Sequence, residues 1–218
     1  MGTLLLVRHA TTAASESGIN HGQRTDAPLV EAGRALAARA GAAIAAELEA
    51  VGGDELRLLT SPARRCRQTA RIVADALGRP DLEAEPHEGL WEIDYGEWEG
   101  LSAEECRRRD PQLRARWEDD PYATSTPGGE SGSDVAARAF AVLAPLEEWL
   151  AATPRSAAIA VAHNHVVRLR IAAQLGISMA DYRRRVVADP GAYSMVTFRA
   201  GRSTVRRLNV LPPDSFAG

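Results

Sequence analysis

The sequence predicts an α/β fold in which helices cover both faces of a mostly parallel central sheet. Short, continuous apolar runs at 4–8, 56–60 and 157–162 are typical of strands buried on both faces. Apolar residues recur at helical spacing over 31–51 and 134–150, between those runs. Strands that alternate with helices favour parallel pairing, because each parallel connection has to cross over a face of the sheet.

Local signals place the ends of several elements. Gly52-Gly53 ends the first long helix, and Ser61-Pro62 is the pattern of an N-cap and first helical position before a helix that runs to about Leu77. A helix from Val166 ends at Gly176. Two final strands are predicted, at 193–199 and 203–208, joined by a turn at Ala200-Gly201. With no linker or repeat visible, we predict a single domain over residues 1–218.

Composition excludes several classes of partner. The net charge of −3 argues against nucleic-acid binding, although every one of the 26 basic residues is arginine. The apolar run near the N-terminus is too short for a secretory signal or a membrane span, so we predict a cytoplasmic protein without a membrane partner. Cys66 and Cys106 lack metal-ligand spacing and are expected to be reduced thiols. The sequence is compatible with a homodimer and does not decide the oligomeric state.

Polar residues follow three of the predicted strands. The first strand ends in Arg8-His9, the second is followed by Ser61 with Arg64 and Arg65, and the third ends at His163. Ligands bind beyond the carboxyl ends of strands in such sheets, so these side chains are expected to converge. Arginine matches phosphate oxygens, and histidine serves as a nucleophile or proton donor near neutral pH. Each residue alone could be structural or a surface charge; the combination indicates a phosphate site.

Six motifs in order resemble the histidine phosphatase superfamily, also called the phosphoglycerate-mutase-like family. The first, at 4–12, has the family's apolar strand followed by Arg-His, and the last is Ala162-His163 with Arg168. The others lie at 22–33, 61–70, 90–100 and 127–131. The resemblance implies a phosphoglycerate-mutase-like three-layer sandwich.

The same resemblance implies a mechanism. His9 attacks phosphorus and becomes a phosphohistidine, while Arg8, Arg65 and His163 neutralise the phosphate oxygens. Glu92 donates and later accepts the proton, and apolar neighbours are expected to raise its pKa. Thr12, Gln23 and Asn164 are further candidates for binding the phosphate. The substrate is a small phosphate ester, and neither a metal nor another cofactor is implied.

This chain departs from the family pattern at several positions. Ala10 and Asn164 replace glycines that usually follow the two histidines, Ser15 replaces a common Asn, and Val30 replaces a capping Thr or Ser. These changes predict a narrowed pocket and altered recognition of the leaving group, with every catalytic group kept. His165 has no motif support, and we interpret it as an ordinary residue at a helix start.

Two other functions remain. A phosphoglycerate-type mutase would use the same phosphohistidine, but Gly100-Leu101-Ser102-Ala103 stands where such mutases carry Gly-Leu-Asn-Lys, and the chain has no lysine. A non-catalytic phospho-ligand binding protein would be expected to lack the nucleophile or the acid, and this chain retains both His9 and Glu92. The phosphatase is therefore the favoured function.

Overall fold

The computed structural model describes residues 1–52, 54–199 and 201–212. Its strands form one six-stranded sheet in the order β3-β2-β4-β1-β5-β6. The strands are β1 Gly2–Arg8, β2 Glu55–Thr60, β3 Glu85–Pro86, β4 Ser156–Ala162, β5 Tyr193–Arg199 and β6 Arg202–Val210. Strands β1 to β4 pair in parallel, whereas β5 and β6 are antiparallel. The predicted fold class is therefore confirmed.

Helices follow the strands in the expected alternation. The long ones, α2 and α6, bury a stripe of small and aliphatic residues, as their apolar spacing predicts. The helices are α1 Ala13–Ser17, α2 Glu31–Val51, α3 Arg64–Ala76, α4 Ala103–Arg109, α5 Pro111–Asp119, α6 Gly132–Ala152, α7 Asn164–Leu175 and α8 Tyr182–Arg185. In the parts of the chain just described, none of these helices is long and apolar enough to cross a membrane.

Strand β1 shows how the sheet acquires a core on each face. Leu4 and Leu6 pack with residues of α6 and α7, whereas Leu5 and Val7 pack with residues of α2 and α3. Successive side chains of a strand point to opposite faces, so one continuous apolar run supplies both cores. This arrangement makes the sheet the middle of three layers.

The start of α3 differs from its prediction. Ser61 does not cap the helix as its N-cap residue; α3 begins at Arg64, and Ala63 occupies the N-cap position without a side-chain hydrogen bond. Ser61 Oγ accepts a bond from the Ala63 amide at 3.3 Å and also lies 2.8 Å from His163 Nε2. Ser61-Pro62 does precede a helix, but Ser61 lies in the turn between β2 and α3.

Three neighbouring parallel strands define the position of that site. β4 lies between β1 and β2, with Arg8 paired to Ala162 and Thr60 to Val161. The next amides continue the ladder, since His9 N donates to Ala162 O at 2.9 Å and Ser61 N donates to Val161 O at 3.0 Å. All three strands therefore end together at one edge of the sheet.

Candidate active site

Two buried histidines form the centre of the site. His9 follows β1, and His163 follows β4 as the N-cap residue of α7. Their ring centroids are 5.2 Å apart with an interplanar angle of 66°. His9 is 5% exposed and His163 is fully buried. The expected convergence of distant histidines is what the sheet topology produces.

The imidazole of His9 is held in one tautomer. Its Nδ1 lies 2.8 Å from the carbonyl oxygen of Ala10, which only accepts hydrogen bonds, so Nδ1 carries the proton. Burial, together with the charges of Arg65 and Arg8, holds the pKa of His9 well below its ordinary value. The ring is therefore neutral near pH 7, and Nε2 keeps a free electron pair.

Arg65 is the arginine that enters the site. Its side chain is fully buried on the first turn of α3, whereas the adjacent Arg64 is exposed. Arg65 Nη2 donates to the carbonyl of Gly22 at 2.8 Å and to His163 Nδ1 at 3.1 Å. Arg65 Nη1 reaches His21 Nε2 at 3.2 Å. A buried guanidinium held by carbonyls and neutral rings keeps its positive charge available for an anion.

His163 is held in the opposite tautomer. Because Arg65 only donates, Nδ1 of His163 accepts, and Nε2–H donates to Ser61 Oγ at 2.8 Å. Burial and the charge of Arg65 hold the pKa of His163 well below its ordinary value. In this geometry His163 is a neutral hydrogen-bond donor, so charge neutralisation falls to the guanidinium groups. Burial raises the pKa of the neighbouring Cys66 to about 12, so this thiol stays protonated.

Glu92 has two unlike carboxylate oxygens. The amides of Ile93 and His165 lie 3.0 and 3.2 Å from Oε1, and His165 Nδ1 lies 3.1 Å from the same atom. Within the described residues, Oε2 has no hydrogen-bond partner. Burial by itself raises the pKa of Glu92, but His165 and His163, together with the hydrogen bond from the Ile93 amide, outweigh burial and hold the pKa well below its usual range. The expectation of a raised pKa is wrong, because it considered only the apolar neighbours.

A clamp fixes the backbone that carries Glu92. Arg138 on α6 donates to the carbonyls of Trp91 at 2.6 Å and of Glu92 at 2.9 Å. Its guanidinium also forms an ion pair with Glu130 at 2.8 Å. Gln23 Nε2 donates to the same Glu92 carbonyl at 2.8 Å. Gln23 therefore supports the acid segment, and these contacts do not include the histidines.

The remaining candidates take different places. Arg8 is half-buried at the end of β1, with Nη1 donating to the carbonyl of Ala188 at 2.7 Å. Thr12 Oγ1 caps α1, accepting a hydrogen bond from the amide of Ser15 at 3.2 Å. Asn164 begins α7 with its Oδ1 buried and without a partner among the described residues. Ala10 is fully buried and has no positive φ, so the missing glycine imposes no backbone strain.

Sequence reasoning missed His165 and Arg138. His165 is fully buried and contacts Glu92, whereas its position in the sequence predicts only an ordinary residue at a helix start. The only signal was its position two residues after His163. Arg138 gave no signal, because it lies in the middle of a helix whose apolar stripe carried the prediction.

The family model for branch 1 of the histidine phosphatase superfamily matches residues 4–211. Phosphoserine phosphatase 1 of Hydrogenobacter thermophilus is 29% identical over 210 residues, covering 96% of this chain and 93% of that protein. A bifunctional protein of Mycobacterium tuberculosis is 34% identical over 94% of this chain, which spans only 53% of that protein's length. A 2,3-bisphosphoglycerate-dependent phosphoglycerate mutase of Mesorhizobium japonicum is 33% identical over 63% of this chain and 65% of the mutase.

A solved structure gives the same answer for the fold. Mycobacterial glucosyl-3-phosphoglycerate phosphatase in complex with VO3 superposes with a TM-score of 0.78 and 25% identity, covering 96% of this chain and 100% of that chain. The chain belongs to the histidine phosphatase superfamily, branch 1, and the family resemblance of its motifs is confirmed. The phosphatases among these relatives support a phosphoric monoester hydrolase.

Proposed function

We propose that this protein is a metal-independent phosphatase that hydrolyses a small phosphomonoester through a phosphohistidine on His9. The observation that carries the proposal is the state of the His9 ring. It is neutral, its proton lies on Nδ1, and Nε2 is free beside the charges of Arg8 and Arg65. An unprotonated nitrogen next to fixed positive charge is the arrangement that nucleophilic attack on an anionic phosphate needs.

In the first half of the reaction, His9 Nε2 forms a bond to phosphorus as the phosphorus–oxygen ester bond breaks. Arg8 and Arg65 balance charge on the non-bridging oxygens. His163 donates to a phosphate oxygen when its Nε2–H leaves Ser61 Oγ, its partner in the free protein. Glu92 donates a proton to the leaving oxygen, and this proton becomes the hydroxyl hydrogen of the product alcohol. Glu92 is ionised in the free enzyme, but a phosphate group nearby raises its proton affinity through like-charge repulsion. A monoanionic ester also brings its own proton.

In the second half, a water molecule attacks the phosphorus of phosphohistidine. Glu92, now a carboxylate, accepts the proton of that water, and the phosphorus–nitrogen bond breaks. The electron pair returns to Nε2 of His9, so inorganic phosphate leaves and the neutral ring is restored. The sum is ester plus water giving alcohol plus phosphate, with each catalytic group regenerated.

Cytoplasmic location and assembly as a homodimer stay predictions.

The second candidate function is that of a phosphoglycerate-type mutase. The similarity of this chain to a known mutase favours that function. Such an enzyme returns the phosphoryl group to an organic acceptor instead of water. The segment Gly100-Leu101-Ser102-Ala103 weighs against it, because Ser102 caps α4 through the Glu105 amide at 3.2 Å and no lysine is present. A non-catalytic phospho-ligand binding protein is not favoured by any contact in the site.

Trapping the intermediate tests the proposal directly. Enzyme is mixed with ³²P-labelled phosphomonoesters in the presence of a chelator, quenched within milliseconds and digested. We expect a label that is stable in base, labile in acid and located on the His9 peptide, with inorganic phosphate as the released product. A label on another residue, or turnover that requires added metal, would contradict the proposal. Release of the label on a second organic product would instead establish the mutase.

Replacing Arg65 tests the source of positive charge. Arg65→Met is expected to lower kcat/KM by about 10²- to 10³-fold, because a fixed positive group no longer stabilises the transferring phosphate. The charge of Arg65 also lowers the pKa of His9, so its removal raises that pKa. His9 must be neutral to attack, and the activity loss at acidic pH should therefore begin at a higher pH. Arg64→Met, at the exposed neighbouring position, is the control and should behave like the wild type in its pH–rate profile.

A further inference from the structure

His165 makes a contact that the reaction described above does not require. Its backbone amide and its Nδ1 both lie within hydrogen-bond distance of Glu92 Oε1, at 3.2 and 3.1 Å. The Ile93 amide is a third donor to that oxygen, at 3.0 Å. Three donors on one carboxylate oxygen leave the proton to be exchanged at the other, Oε2. The two oxygens of Glu92 therefore have separate tasks.

The surroundings of His165 fix its protonation. Next to an ionised carboxylate, Nδ1 has to carry its proton and donate. Tyr95, Trp117 and Tyr182 enclose the ring, with centroids 5.7, 6.4 and 5.8 Å away. Nε2 is buried and has no hydrogen-bond partner among the residues described. Burial lowers the pKa of His165, so the ring is neutral, and Nε2 carries a lone pair rather than an unsatisfied N–H.

We propose that His165 is a positioning residue that anchors Oε1 of Glu92 and thereby reserves Oε2 for proton exchange with the leaving group and the attacking water. The proposal rests on the role given to Glu92 above. It also assigns His165 the task of keeping the carboxylate ionised until a phosphate ester arrives. Glu92 then becomes protonated only when the substrate binds, and not beforehand by exchange with solvent.

A purely structural role explains these contacts poorly. An aliphatic side chain would fill an aromatic enclosure without leaving a polar atom unpaired, whereas a buried imidazole nitrogen without a partner costs free energy. Among the described residues, the one hydrogen-bond contact of the His165 ring is directed at Glu92. A buried polar group with one unsatisfied atom, aimed at a reactive carboxylate, is typical of a group kept for function.

Other charged or titratable groups surround Glu92 and set the background for its titration. Those nearby on the sheet edge and on the elements packed against it are Arg8, His9, His21, Arg65, Cys66, Tyr95, Arg138, His163, Arg168, Tyr182 and Arg183. Each is present in both His165 variants, so the two variants differ from one another at position 165 alone. A difference between variants at this position therefore reports the His165 contact.

Two substitutions separate the donor from the volume of the ring. In His165→Asn, the amide nitrogen branches from Cγ as Nδ1 does, so a neutral donor remains close to Oε1. In His165→Leu, a side chain of similar bulk has no donor. Carbon-13 NMR of glutamate-labelled protein measures the pKa of the Glu92 carboxyl, whose resonance is assigned by its absence in Glu92→Gln. The same variants are assayed from pH 4 to 9 on alkyl phosphates.

We expect His165→Leu to raise the pKa of Glu92 by about one unit, since loss of a donor destabilises the ionised form. The basic limb of the kcat profile should move upward with it, and maximal kcat should fall about 10-fold through misalignment, with KM little changed. His165→Asn should stay close to the wild type in both measurements. Thermal unfolding checks that each variant is folded.

Several results would overturn the proposal. One is a folded His165→Leu variant whose Glu92 pKa and basic limb match the wild type. Another is a His165→Asn variant that behaves like the leucine variant, since the donor would then be irrelevant. If Glu92→Gln leaves alkyl phosphate hydrolysis unchanged, the catalytic role of Glu92 fails instead. The NMR titration separates these cases, because it detects the contact without any turnover.

Discussion

Replacing His9 with alanine is expected to reduce phosphatase turnover by about 10⁴-fold or more, because the covalent route is lost. The ring supplies the only nitrogen that we assign to bond formation with phosphorus, and its Nδ1 contact with the Ala10 carbonyl presents Nε2 in a fixed direction. Binding of phosphate should persist, since Arg65 is unchanged. The measurement is steady-state hydrolysis of p-nitrophenyl phosphate and metabolite phosphates with a chelator present, from pH 5 to 8.

The control for His9→Ala is His87→Ala. His87 follows the edge strand β3, and its ring lies near Glu85 at 3.7 Å. It should retain wild-type turnover, which separates the loss of one nucleophile from a general effect of removing histidine. Turnover that survived in a folded His9→Ala protein would contradict the assignment of His9 as the nucleophile and, with it, the phosphohistidine intermediate.

Glu92→Gln is expected to discriminate between substrates by their leaving groups. An alkoxide is a poor leaving group and needs a proton, so hydrolysis of alkyl phosphates should fall by about 10²- to 10⁴-fold. p-Nitrophenolate leaves without help, so its release should be far less affected. Glutamine keeps a carbonyl oxygen for the three donors that now contact Oε1. The substitution therefore removes the exchangeable proton with little change of position.

A burst experiment completes that comparison. Since Glu92 also accepts the proton of the attacking water, p-nitrophenol should appear in a rapid burst while phosphohistidine accumulates. Glu97→Gln is the control, because Glu97 is an exposed carboxylate of the same segment and pairs with Arg109. Equal losses on alkyl and aryl substrates in Glu92→Gln would show that Glu92 is not the proton donor.

The fold and the centre of the site follow from local patterns in the sequence. Apolar runs mark the buried strands, and parallel strands end at one edge, so His9, Arg65 and His163 had to approach one another. The choice between Arg64 and Arg65 depended on the family motif, and burial agrees with it because only Arg65 faces inward. The fold and the placement of these side chains could be predicted because each depends on a short stretch of chain and on one rule of sheet topology.

Contacts between distant segments could not be predicted in this way. Arg138 reaches the backbone of Glu92 from the middle of α6, and nothing in its local sequence indicates the carbonyls it binds. The ionisation of Glu92 depends on His165, which lies 73 positions away along the chain. Apolar neighbours in sequence predicted a raised pKa, whereas donors brought together by the fold reverse the direction.

The clamp formed by Arg138 has a consequence for how this enzyme can change. It ties the acid segment to α6 and Glu130, whereas the short helix α1 contributes no buried residue and lies outside those contacts. Substitutions confined to α1 therefore leave the contacts that hold His9 and the acid segment unchanged. Such a separation lets α1 vary in sequence while the chemistry of the site is preserved.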